Sequence, residues 1–232
     1  MRSSLLAMVG QALHLKICGL TDSAQACAIA ALGVQAIGVI GVQGTPRCVS
    51  SERRREIYAK LASQSNVERV WVSADPDDNE LDEVLSGQGT PSVVQLHGQE
   101  SEARCADLRS RHPSIRWWKA LRPRDDADLE TIKRYWSHVD ALLIDAWSSN
   151  QLGGTGHQLN PTWLKRVQDQ LAGGPPWWLA GGVCAEWVPS LDKIHPYGLD
   201  ASSRLEVRPG VKDLNRVRAL VNSVEDRARR LK

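Results

Sequence analysis

Short apolar runs alternate along the chain with longer amphipathic stretches. The runs are rich in Val, Ile and Leu and are bounded by Gly, Pro, Asp or Ser, which is typical of buried strands. They predict strands at residues 13–17, 36–40, 68–73, 92–96, 115–121, 139–144, 177–180 and 197–201. The stretches between them have helical spacing and predict helices at residues 22–32, 52–62, 77–85, 101–109, 126–135, 161–171, 185–191 and 213–231.

Strands and helices alternate strictly, with one unit per 29 residues on average (232/8). This alternation requires a parallel sheet, because consecutive parallel strands are joined by crossover helices, and eight such units close into a barrel. We therefore predict an α/β protein with a single-domain (β/α)8 TIM barrel over residues 13–232, after an N-terminal extension at 1–12. An open doubly wound sheet is the alternative, but no Gly-x-Gly-x-x-Gly follows the first strand. The polar, Gly-rich connection at 146–160 is a candidate lid.

Composition and charge narrow the class of protein. The net charge is +2, so neither nucleic acid nor a membrane surface is expected as a partner. Nine Trp and no Phe predict an aliphatic core with indole rings in place of phenyl rings. Five cysteines without a Cys-x-x-Cys pair indicate a reducing compartment, and we expect a cytoplasmic protein. The first ten residues faintly resemble a signal peptide, but their apolar run is too short, so they predict a tail, or an early start codon with Met8 as another candidate.

Two reactive side chains follow predicted strands, where barrel enzymes place their active sites. Cys18 comes directly after the first strand and shares the inward parity of Lys16. Its thiol could act as a base or nucleophile, or it could be a small buried apolar group. Asp145 comes directly after the sixth strand and suits a general acid, although it could instead cap a helix or anchor a loop. The two groups could flank a substrate across the barrel mouth.

Three further segments predict anion binding. Gly181-Gly182 and Ser202-Ser203 follow the seventh and eighth strands, where barrels bind phosphate, although ordinary tight turns have similar sequences. Arg47 lies beyond the second strand, and its guanidinium group could bind a carboxylate or remain solvated. Because closure makes the eighth strand a neighbour of the first, Lys16 is expected to pair with Asp200. The sequence has no spacing typical of a metal site, a nucleotide-binding P-loop or a Gly-x-Ser-x-Gly nucleophile.

Several motifs together resemble the phosphoribosylanthranilate isomerase family over about residues 13–217. They are Lys16-Ile17-Cys18-Gly19, Gln95-Leu96-His97-Gly98, Leu143-Ile144-Asp145, Gly153-Gly154-Thr155-Gly156, Leu179-Ala180-Gly181-Gly182, Asp200-Ala201-Ser202-Ser203, and Pro209-Gly210-Val211-Lys212-Asp213 after Glu206. The resemblance implies a TIM barrel that needs no cofactor. It also implies the conversion of N-(5-phosphoribosyl)anthranilate to 1-(2-carboxyphenylamino)-1-deoxyribulose 5-phosphate by an Amadori rearrangement in L-tryptophan biosynthesis.

The same resemblance implies the site residues. Cys18 is expected to be the general base, Asp145 the general acid and Arg47 the residue that binds the anthranilate carboxylate. Further contacts to the small phosphorylated substrate are expected from Gln95, His97, Gly181, Gly182, Ser202 and Ser203, in a monomer or homodimer.

The sequence departs from the family pattern at several positions, one of which lies in the phosphate loop. Arg204 stands where the family usually has glycine, so it either points outward or adds a cation to the phosphate site. Two other functions remain open, which are a different sugar-phosphate isomerase or epimerase and a ligand-binding barrel without catalysis.

Overall fold

The computed structural model describes residues 13–63, 66–145 and 161–231. The predicted extension at 1–12 and the predicted lid at 146–160, with its Gly153–Gly156 motif, lie outside the described residues. Among the helices of the described part, none is long and apolar enough to cross a membrane.

A closed barrel of eight parallel strands forms the centre of the molecule, as predicted. The strands are β1 His14–Cys18, β2 Ala36–Ile40, β3 Glu68–Ser73, β4 Val93–Leu96, β5 Arg116–Leu121, β6 Ala141–Asp145, β7 Trp177–Ala180 and β8 Gly198–Ala201. Each pairs with the next in sequence, and β8 pairs with β1 to close the barrel. Cys18 and Asp145 are the last residues of their strands, so the backbone ladder fixes their direction.

Helices follow the strands close to the predicted ranges. The α-helices are α1 Ser23–Ala30, α2 Ser51–Leu61, α3 Asp78–Leu85, α4 Glu102–Arg111, α5 Asp126–Thr131, α6 Pro161–Gln170 and α7 Leu214–Arg230. Six of them have an Asp or Ser N-cap whose side chain accepts from a backbone N–H of the first turn, and the caps of α1 and α7 are Asp22 and Asp213.

Two predicted helical stretches are wound more tightly than expected. Residues Ile132–Tyr135 and Ala185–Leu191 form 3-10 helices. In the second, Pro189 lacks the backbone N–H that an α-helix needs at that position. A short hairpin of β9 Glu206–Arg208 and β10 Val211–Lys212 was not predicted, because its polar residues show no strand periodicity.

The core has two layers, and indole rings contribute to both. The outer layer lies between the barrel and its helices and buries Trp71, Trp117 and Trp177 among aliphatic side chains. Inside the barrel, the rings of Trp118 and Trp178 stack with their centroids 4.9 Å apart. These rings pack with aliphatic side chains of the strands inside the barrel.

Candidate active site

A cavity of about 730 Å³ opens at the C-terminal ends of the barrel strands. It is lined by every residue for which the sequence predicted a site role, namely Cys18, Arg47, Gln95, His97, Asp145, Gly181, Gly182, Ser202 and Ser203. These residues come from loops and strand ends spread over most of the chain. The fold therefore brings the predicted set together, while the role of each residue remains a prediction.

Cys18 faces the interior at the end of β1 and is only 6% exposed. Its neighbour on β2 is Gly38, where a Cβ atom would lie 2.7 Å from the Cys18 Sγ, so a larger residue would displace the thiol. Burial raises the pKa of Cys18, and the charges of Lys16 and Lys212 oppose this only in part. The two lysines favour the thiolate, but desolvation of the thiolate outweighs them, so the net shift of this pKa is upward.

Lys16 is fully buried one layer below Cys18 and donates to the Asp200 Oδ1 at 2.9 Å. The two residues are register partners on β1 and β8, which confirms the predicted pair. Asp200 in turn lines the cavity. The pair therefore places a buried cation beneath Cys18 and a carboxylate at the cavity floor.

Asp145 takes part in a polar chain that crosses three strands. Arg122 donates from Nε to Asp145 Oδ2 at 3.1 Å, and its Nη2 lies 2.8 Å from His97 Nε2. His97 Nδ1 lies 3.0 Å from the side-chain amide of Gln95. The sequence analysis did not assign Arg122 to the site. Trp118 and Ala120 point into the barrel, and Arg122 lies two residues after Ala120, so the alternation of side chains along the strand would have indicated that it also points inward.

His97 is uncharged in this arrangement. Burial and the charge of Arg122 lower the pKa of His97 to about 4, and Asp145 opposes them only in part. A guanidinium group can only donate hydrogen bonds, so the Nε2 of the neutral ring is the acceptor. His97 therefore serves as a fixed acceptor for Arg122 rather than as a second cation.

Arg47 is held by a buried carboxylate from the unpredicted hairpin. Its Nε and Nη2 donate to the two oxygens of Glu206 at 2.8 and 2.6 Å. Lys212 also donates to Glu206, at 2.7 Å. Gly19 has a φ of +79°, and a Cβ at this position would lie 2.7 Å from the Arg47 Cδ. The glycine of the first motif is therefore needed both for its own backbone and for the path of Arg47.

The two predicted phosphate loops meet on one side of the cavity. Gly181 and Gly182 have φ values of +99° and +73°, which favour glycine at both positions. The Ser202 hydroxyl donates to the carbonyl of Cys18 at 3.0 Å, so its proton is used to tie β8 to β1 and not to contact a ligand. The exposed Arg204 lines the cavity beside Ser203, which favours the second of its two predicted placements.

The segments after these loops differ from expectation. A regular α-helix that began directly after such a loop would direct the positive end of its dipole toward an anion. Both segments, Ala185–Leu191 and Ser203–Leu205, are instead short 3-10 helices. An anion bound at these loops would depend on individual N–H groups and on the charge of Arg204, because one or two turns have little aligned dipole.

Comparison with known proteins agrees with this geometry. The profile of the family described as PRAI, N-(5′-phosphoribosyl)anthranilate (PRA) isomerase, matches residues 15–223. An N-(5′-phosphoribosyl)anthranilate isomerase from Synechococcus elongatus is 42% identical over 214 residues, which cover 91% of this chain and 96% of the relative.

Solved structures support the same assignment. The crystal structure of phosphoribosyl anthranilate isomerase from Thermotoga maritima has a TM-score of 0.80 at 26% identity and covers 92% of this chain and 99% of its own. A phosphoribosyl anthranilate isomerase in complex with reduced 1-(o-carboxyphenylamino)-1-deoxyribulose 5-phosphate has a TM-score of 0.77 at 25% identity, with the same coverage. The chain belongs to the N-(5′-phosphoribosyl)anthranilate isomerase family.

Proposed function

We propose that this protein converts N-(5-phosphoribosyl)anthranilate to 1-(2-carboxyphenylamino)-1-deoxyribulose 5-phosphate, an aldose–ketose isomerisation of tryptophan biosynthesis. The observation that carries the proposal is the placement of Cys18 and Asp145. They end β1 and β6 and line one cavity, together with Arg47 and the two small-residue loops. One acid and one base at separate strand ends are what an Amadori rearrangement requires.

Asp145 acts first, as the general acid. Its carboxyl proton passes to the ring oxygen of the ribose, the bond between that oxygen and C1′ breaks, and the oxygen becomes a hydroxyl group. The lone pair of the anthranilate nitrogen completes a C1′=N double bond, which leaves an iminium ion. Asp145 is then a carboxylate, and Arg122 already donates to it at 3.1 Å.

Cys18 acts second, as the general base. Its thiolate removes the proton from C2′, and the electron pair of that bond moves to neutralise the iminium ion. The resulting enolamine tautomerises to the ketose. The C1′ carbon becomes a methylene group attached to nitrogen, and C2′ becomes the carbonyl. The charge of buried Lys16, close to Cys18, favours the thiolate against the cost of burial.

The two anions of the substrate match the two cationic sides of the cavity. We assign the anthranilate carboxylate to Arg47, whose side chain is 22% exposed while its Nε and Nη2 are bound to Glu206. We assign the phosphate to Gly181, Gly182, Ser202 and Ser203, with backbone N–H groups as the donors at Ser202 and with Arg204 as an added cation. Gln95 and His97 are assigned to the sugar between them.

The proposal also covers the organisation and setting of the protein. Residues 13–232 form one barrel domain after an N-terminal extension at 1–12. The partner is a small phosphorylated molecule and not nucleic acid, and the active species is a monomer or a homodimer, which sedimentation velocity distinguishes. A cytoplasmic location is supported by all five cysteines being free thiols.

The test is turnover of phosphoribosylanthranilate, made in situ and followed by its fluorescence, with purified protein. We expect the wild type to consume the substrate and Asp145→Asn to lose about 10²–10⁴-fold in kcat, because the amide has no acidic proton to transfer. Asp140→Asn is the matched control, since Asp140 precedes the opposite end of β6 and binds the Trp117 N–H. No turnover by folded wild type, or equal turnover by Asp145→Asn, would overturn the proposal.

A further inference from the structure

Arg122 joins two cavity residues that come from neighbouring strands. The residue follows β5 directly, and its guanidinium group contacts Asp145 at the end of β6 and His97 after β4. The contacts use different nitrogens, Nε for Asp145 at 3.1 Å and Nη2 for His97 at 2.8 Å. A planar guanidinium group bound at two edges has a defined orientation, which a single flexible contact would not provide.

Buried residues hold the backbone on both sides of His97, which is one of the two partners of Arg122. Lys119 is 1% exposed, and its Nζ donates to the carbonyl groups on either side of His97, at 3.4 Å for Leu96 and 2.9 Å for Gly98. The same Nζ binds Glu100 at 2.8 Å, and the other Glu100 oxygen accepts from the Gly98 N–H. The backbone that presents His97 is thus held on both sides by a buried ion pair.

This anchoring matters because Arg122 itself is exposed. Its side chain is 63% accessible, and an isolated surface ion pair with Asp145 would contribute little. His97, by contrast, sits on a backbone held by Lys119 and Glu100 and offers an acceptor in a fixed place. His97 therefore determines the orientation of the Arg122 guanidinium group. The Nε that donates to Asp145 is held in place by this contact, even though the Arg122 side chain is exposed to solvent.

We propose that Arg122 is a positioning residue for Asp145, directing its carboxyl group into the cavity and stabilising the carboxylate that remains after proton transfer. The inference rests on the proposed function. The charge on Asp145 develops as its proton moves to the ring oxygen, so a donor already in place at Oδ2 needs no rearrangement at that moment. Arg122 contributes no proton itself.

The test compares the kinetics of Arg122→Gln with those of the wild type. We expect kcat to fall about 10-fold, with KM changed by less than about threefold, because the stabilised charge exists only after the proton moves. Arg122→Lys should recover part of the loss, since it restores charge but cannot bind both neighbours. Added guanidinium ion at millimolar concentration should raise the kcat of Arg122→Gln. Arg124→Gln, an exposed arginine of the same loop, is the matched control and should behave as wild type.

A double variant separates this inference from the proposed function. If Arg122 acts through Asp145, adding Arg122→Gln to Asp145→Asn should reduce kcat no further than Asp145→Asn alone. Multiplying losses, a raised KM with unchanged kcat, or a wild-type kcat for Arg122→Gln would each overturn the role of Arg122 and leave the proposed function standing. An active Asp145→Asn would instead overturn the proposed function.

Discussion

The Lys16 ammonium lies 2.9 Å from the Asp200 carboxylate at the seam where β8 closes onto β1. Both side chains point into the barrel, and Lys16 is completely excluded from solvent. A buried cation of this kind is tolerated because a charge-assisted hydrogen bond offsets its desolvation. The pair thus stabilises the barrel and also forms part of the cavity floor.

Removal of one partner of this pair should destabilise the fold strongly. We expect Lys16→Met to lower the free energy of unfolding by about 3–5 kcal/mol, because the Asp200 carboxylate is left buried without its counter-ion. Guanidinium chloride unfolding measures the difference. Lys165→Met is the control, because Lys165 forms an exposed pair with Asp169 on α6 and should contribute under about 1 kcal/mol. Equal effects of the two variants would contradict the prediction.

The proposed base predicts a selective loss of turnover. We expect Cys18→Ser to lower kcat at least 100-fold with little change in KM, because a hydroxyl group is a far weaker source of an anionic base than a thiol. Steady-state kinetics at saturating substrate measure the effect. Cys105→Ser replaces another buried thiol, on α4 outside the cavity lining, and should keep kcat near wild type. A similar kcat in both variants would exclude Cys18 from this role.

The Cys18 thiol should keep its position only if residue 38 has no side chain. A methyl group there would lie 2.7 Å from the Cys18 Sγ, so Gly38→Ala should displace Cys18 and lower kcat. Gly198→Ala makes the same change at the start of β8, where the methyl group would lie 2.4 Å from the Trp178 ring. We expect that variant to lose about 1–3 kcal/mol of stability but to keep its kcat. A normal kcat in Gly38→Ala would contradict the proposed position of the base.

Arg47 should contribute mainly to substrate affinity. We expect Arg47→Ala to raise KM by about 10- to 150-fold, which corresponds to the loss of a charge-assisted contact of roughly 1.5–3 kcal/mol. The fold should survive, because Lys212 still neutralises Glu206. Steady-state kinetics give KM, and Arg53→Ala, a half-exposed arginine on α2, is the control. An unchanged KM in Arg47→Ala would rule out the carboxylate assignment.

Glu206 predicts a particular dependence of stability on pH. Burial alone would raise the pKa of Glu206, but hydrogen bonds from Arg47 and Lys212 outweigh it and lower this pKa to about 2. The ionised form is therefore favoured by folding. Its contribution, at most about 3 kcal/mol, is fully present above pH 4.5 and is lost as the pH falls toward 2.

The corresponding experiment is urea unfolding of the wild type and Glu206→Gln at several pH values. The difference in unfolding free energy between the two proteins should be largest near pH 6 and should shrink as the pH falls below 4.5. Glu225→Gln, which alters an exposed carboxylate on α7, should show no such trend. A difference for Glu206→Gln that does not vary with pH would contradict the prediction.

The sequence by itself determined the barrel and the location of the site in it. Alternation of buried strands with helices is a local, periodic signal, and closure of eight parallel units follows from it. Strand parity then placed Lys16 and Cys18 at the inner surface, the position after the sixth strand placed Asp145 at the barrel mouth, and closure made Lys16 and Asp200 neighbours. Each of these steps needs only the spacing of residues along the chain and the order of the strands.

Tertiary structure alone decided which groups those residues contact. Arg47 and Glu206 are 159 positions apart, and their pairing depends on a hairpin too short and polar to leave a periodic pattern. The link from His97 through Arg122 to Asp145 likewise joins the C-terminal ends of three strands through side-chain contacts that no local pattern encodes. The raised pKa of Cys18 depends on how completely the folded barrel excludes water, so it too is a property of packing. Contacts between loops depend on backbone angles and burial, which are established only when the whole barrel closes.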